Sequence, residues 1–95
     1  MKAGTTSTGF AYEFDERNAD DMRFVDLIAD ITAADTPEFE KMAGVSKLLV
    51  MLLGKKQKTA LYEHIGARHE GRVPFAELEQ ALTEIMQGGG DAVKN

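Results

Sequence analysis

The side chains best equipped for chemistry in this sequence are two histidines, His64 and His69, and a scatter of carboxylates. A zinc site needs ligands that converge from one helix face or from paired loops, with a third or fourth donor at a matching spacing. His64 and His69 are five residues apart, fall on different sides of any shared helix, and have no HExxH around them. The frame of a calcium loop fits better at first sight. If Gly71 is taken as its glycine, Val73 stands at position eight and Glu77 at position twelve. Positions one and three would then be Gly66 and Arg68, which offer no carboxylate, so Glu70 and Glu77 are left to hold the ion alone. Neither a metal nor any other cofactor is expected.

Catalysis finds no residues either. Gly44, Gly54, Gly66 and Gly71 are too widely spaced for a phosphate-binding loop, a nucleophile elbow or a dinucleotide fingerprint. Cysteine is absent, which removes thiolate nucleophiles and disulfides and fits a cytoplasmic protein. The chain is expected to be no enzyme.

Charge narrows the partners. The net charge is −5, and residues 1 to 41 carry ten acids against four bases while residues 42 to 95 carry six against seven. An acidic front repels phosphate backbones, and Lys55, Lys56 and Lys58 make too short a cluster for a nucleic-acid footprint. The longest apolar run, Leu48 to Leu53, is far short of the ~20 residues that cross a bilayer, so neither nucleic acid nor membrane is an expected partner.

The elements that carry these residues are mostly helical. With 95 residues the chain makes one small core. Residues 1–9, rich in Thr, Ser and Gly, are expected to be a flexible lead-in, and 88–95 a flexible tail. Between them, 10–87 is expected to form a single helical domain: a bundle of about four helices with a short N-terminal β element, mainly α in class. Phe10, Tyr12 and Phe14 alternate with Ala11 and Glu13 as a strand with one aromatic face, whose partner strand the sequence does not reveal. A helix capped by Asn18 should run from Ala19 to Ala33, burying Phe24, Leu27, Ile28 and Ile31. Thr36 and Pro37 start a second helix that Gly54 stops, and Gly44 is a point at which it could bend or split. Shorter helices follow at Lys56 to Ala67 and Pro74 to Gln87.

The second helix is apolar on more than one side. Phe39, Met42, Val45, Leu49, Val50, Leu52 and Leu53 share an arc, which leaves Leu48 and Met51 outside it. Either the helix is central and buried all round, or one side is core and the other receives an amphipathic helix from a partner. On the second reading Leu48, Met51 and Leu52 form the binding side, and the methionines Met22, Met42 and Met51 supply adaptable packing.

In layout the chain resembles the small tail assembly chaperones of long-tailed bacteriophages. The resemblance covers about residues 10 to 87 and is carried by the strand Phe10 to Asp15 before an acidic helix, Leu52-Leu53-Gly54-Lys55-Lys56-Gln57, Glu63-His64-Ile65, the turn Glu70-Gly71-Arg72-Val73, and Glu77-Leu78 through Glu84-Ile85-Met86. It implies a non-enzymatic protein of the bacterial host cytoplasm that shields the apolar helices of the tape measure protein and helps recruit tail tube protein. The resemblance also implies a longer frameshifted form, for which Gly88 to Gly90 could be encoded by a slippery run. The sequence leaves a homo-oligomer open. A different reading makes the chain an acidic regulatory module that occupies a basic surface of a DNA-binding protein, with Asp20, Asp21, Asp26 and Asp30 as phosphate mimics.

Overall fold

The computed structural model describes residues 1–88. Its first element corrects the expected lead-in: Lys2–Thr5 is a strand, β1, paired antiparallel with β2, Ala11–Phe14. In the register Lys2 faces Phe14 and Gly4 faces Tyr12, which supplies the strand partner missing from the sequence reading. Phe10, Tyr12 and Phe14 are buried, as their alternation demands, and a buried strand must pair its backbone polar groups. Gly4 makes the pairing possible, because a Cβ there would collide with the Tyr12 ring. Between the strands, the Thr6 N–H donates to the Phe10 carbonyl and the Gly9 N–H to the Thr6 carbonyl, both at 2.9 Å. The outer edge of β2 is closed by a side chain: Gln57 accepts from the Glu13 N–H at 2.9 Å and donates to the Glu13 carbonyl at 2.6 Å. An edge satisfied this way is a poor template for further strands.

Helix α1 spans Met22–Thr32 and is capped by Asp21, whose carboxylate accepts the Arg23 N–H at 2.9 Å. The expected cap, Asn18, instead ends a short 3₁₀ turn, Glu16–Asn18, and donates its amide to the Leu52 carbonyl at 3.0 Å. The side-chain amide thus pins the start of the helical region to the end of α2, Glu38–Leu53. Thr36 is likewise reassigned: its hydroxyl donates to the Asp30 carbonyl at 2.6 Å and closes α1 rather than opening α2. Pro37 then stands just outside the first turn, where its missing N–H costs nothing.

α2 runs unbroken through Gly44. The glycine is there for a neighbour, since a Cβ at that point would fall on Ile31 Cγ2 of α1. Gly54, at φ +84°, is the single residue between α2 and α3, Lys55–Gly66, capping both. A turn with Glu70 and Gly71 at positive φ leads to α4, Phe75–Gly88. One core draws on β2 and all four helices, with Phe24 from α1, Leu48, Leu49 and Leu52 from α2, Leu61 from α3 and Ile85 from α4 among its most buried side chains. Among the described residues the fold is therefore mainly α, four α-helices with a two-stranded N-terminal hairpin. Gly88 is the last residue of α4, and the rest of the expected tail lies outside the described residues.

Candidate partner-binding face

The residues expected to bind a partner separate into two groups on α2. Leu48 is 1% exposed and Leu52 equally buried, so both belong to the core, and Met51 packs against that core half-buried. The proposed binding side around Leu48 and Met51 is therefore corrected. An apolar face does point outward, but it is the opposite one. Phe39 is 79% exposed, Met42 40% and Val50 38%, with Ala43 and Ser46 between them on the same side. These positions recur at i, i+3, i+4, i+7 and i+11, the spacing of one helical face. Three of them, Phe39, Met42 and Val50, are residues that the wheel placed in the arc with the core.

The inversion has a local cause. The α1 contact lands on Gly44, and Leu48 and Leu52 follow it at one-turn intervals along the buried side. A wheel weighs hydrophobicity and ignores the one small residue that admits a close neighbour. Gly44 is the signal that could have found the orientation. Of the methionines proposed for adaptable packing, Met22 on α1 is 64% exposed and shares its solvent side with Val25 and Ala29.

The potential chemistry elsewhere is absorbed by structure. His64 stands 5.7 Å from the Phe10 ring, centre to centre, with Nε2 3.1 Å from the Thr8 hydroxyl. His69 Nε2 is buried 3.4 Å from Glu77 Oε1 without the alignment of a hydrogen bond, and Arg68 Nη1 reaches the same oxygen at 3.4 Å. Glu77 thus serves the α3–α4 connection, while Glu70 is exposed at φ +59°. Among the described residues no three His, Asp or Glu side chains gather around a point where a metal could sit. Of the lysine cluster, Lys58 donates to the Ser46 hydroxyl at 2.7 Å and lies 5.2 Å above the Tyr62 ring, which leaves Lys55 and Lys56 facing solvent.

Carboxylates show the same division. Asp21 is occupied as the α1 cap. Hydrogen bonds from the Arg17 side chain and backbone hold the Asp15 carboxyl down at about 2. Glu84 receives the Gln80 amide at 2.7 Å within α4 and the Ser7 N–H at 2.6 Å and Ser7 hydroxyl at 2.7 Å; all three pull its carboxyl below the ordinary 4.5, and the two from Ser7 tie the hairpin loop to α4. Burial, with the Glu84 charge nearby, pushes the Tyr12 phenol above its ordinary range. Most other acids, Asp30, Asp35 and Glu40 among them, make no ion pair and no hydrogen bond through their carboxylates among the described residues.

No helix among the described residues is long and apolar enough to cross a membrane. No family model, curated protein or solved structure matches the chain.

Proposed function

We propose that this chain is a non-enzymatic holding protein of the kind found among phage tail assembly chaperones, one that covers apolar helices of a long client, the tape measure protein, and helps recruit tail tube subunits. The observation that supports the reading is the outward face of α2, where Phe39, Met42 and Val50 stand exposed on an acidic body. Phe39 would gain most of the ~1.5–3 kcal/mol that full burial of such a side chain supplies, and the less exposed Met42 and Val50 a smaller part, which favours a partner that covers the face. The acidic front keeps such a complex dispersed.

Capture of the tagged chain from its native lysate at moderate salt, with the co-purifying proteins identified by mass spectrometry, tests this reading. A very long, helix-rich partner that persists as salt is raised is the expected result. A basic DNA-binding protein released by modest salt would contradict it and favour the acidic regulatory module, because exposed charge pairs are screened while apolar contacts are not.

A further inference from the structure

Along the outward face of α2 the side chains are ordered by size and by charge. Phe39 and Met42 stand toward the N-terminal end and Val50 toward the C-terminal end, with the small residues Ala43 and Ser46 between them. Small residues in mid-helix let a second helix approach closely and leave room for its large side chains. Glu40 and Lys47, both exposed, lie seven residues apart and so flank the same rim of this face, the acid nearer the N-terminus and the base nearer the C-terminus. Among the described residues neither makes an ion pair.

We propose that, until a client arrives, this face is covered by a second copy of the chain, the two α2 helices running antiparallel about a two-fold axis near Ala43. The inference rests on the partner-binding reading above and adds how that same face is regulated. In this arrangement Glu40 lies opposite Lys47 of the partner subunit and Lys47 opposite Glu40 of the partner subunit, as an isologous contact requires. Phe39 then seats beside Ser46 of the partner subunit, at the small middle of its face. Two observations choose this occupant. The charge order gives an antiparallel copy two attractive pairs, whereas a parallel copy would set like charges against each other. The size order lets the bulky end of one face meet the small middle of the other. Three exposed large apolar side chains fall short of the ~800 Å² per partner of a standard interface, so the pairing is weak and open to displacement by a client that offers more apolar surface.

Sedimentation equilibrium of the full chain across a wide concentration range tests the pairing. The parent should pass from monomer to dimer. Phe39→Ser, an exposed change whose folding is checked by thermal melting, should raise the dissociation constant at least about tenfold, as loss of an aromatic anchor does. Glu40→Lys and Lys47→Glu should each weaken self-pairing severalfold at low salt, because each turns two attractive pairs into two repulsive ones. An equimolar mixture of these two variants, and the double variant on its own, should pair as the parent does, since both restore opposite charges across the contact. A parent that stays monomeric at every concentration, a dimer indifferent to Phe39→Ser, or charge variants that mixing does not rescue would each overturn the proposal. If the parent stays monomeric while the lysate still yields a long helix-rich partner, the self-pairing falls and the proposed function stands. A charge-rescued dimer whose lysate capture yields no such partner supports the pairing and overturns the proposed function.

Discussion

At the scale of single residues, a few polar side chains hold elements of this protein together, and Glu84 is the clearest instance. Two hydrogen bonds from Ser7 join α4 to the hairpin loop and, with one from Gln80 inside the helix, lower its folded-state pKa below the unfolded value of about 4.5. A depressed carboxyl contributes stability that is complete above the unfolded value and is lost as pH falls through the folded one. Glu84→Gln should therefore cost about 1 kcal/mol at neutral pH, reduced from the ~1.5–3 of buried charged hydrogen bonds by solvent screening. The difference from the parent should shrink as pH falls below the unfolded value and through the lowered folded one, as urea midpoints measured across the acidic range would show. A constant difference at all pH values would mean that the charge of Glu84 is not what holds the loop.

At the scale of elements, the decisive contact is the close approach of α1 and α2 at Gly44. Gly44→Ala removes the glycine penalty of about 1 kcal/mol in a helix, but it drives a methyl group into Ile31. Overpacking of ~1–3 kcal/mol should outweigh that gain and lower the urea midpoint. A raised midpoint would show that the helices separate at no cost. The four helices were legible in the sequence because periodic apolar residues and glycine stops mark them, and their observed bounds differ from the expected ones by only a few residues. Lys2–Thr5 was not legible, because Lys-Ala-Gly-Thr has no alternation of its own and becomes a strand through pairing with β2 and the Tyr12 ring over Gly4. The orientation of α2 was misread for a related reason. Apolar residues on all sides cannot say which side is core, and packing at Gly44 makes the choice. With it the expected site moved: Leu48 and Leu52 went to the core, and Phe39, Met42 and Val50 came to the surface.

At the scale of the whole molecule, a small core fed by β2 and all four helices supports one helix that keeps Phe39, Met42 and Val50 exposed on its outer face. The hairpin, with its edge closed by Gln57, is an unsuitable place for a partner strand, and the histidines and Glu77 are engaged near the α3–α4 connection and the hairpin loop. We propose the apolar surface of α2, with Phe39, Met42 and Val50 exposed, as the place of recognition. Its role is tested most directly by replacing Phe39 with a photo-crosslinking benzoyl-phenylalanine in the cell, with the same residue at exposed Thr83 of α4 as the control. Irradiation should join position 39, and not position 83, to a long helix-rich protein. Equal crosslinking from both positions, or a product at 83 alone, would contradict the assignment of the α2 face as the surface that holds a partner.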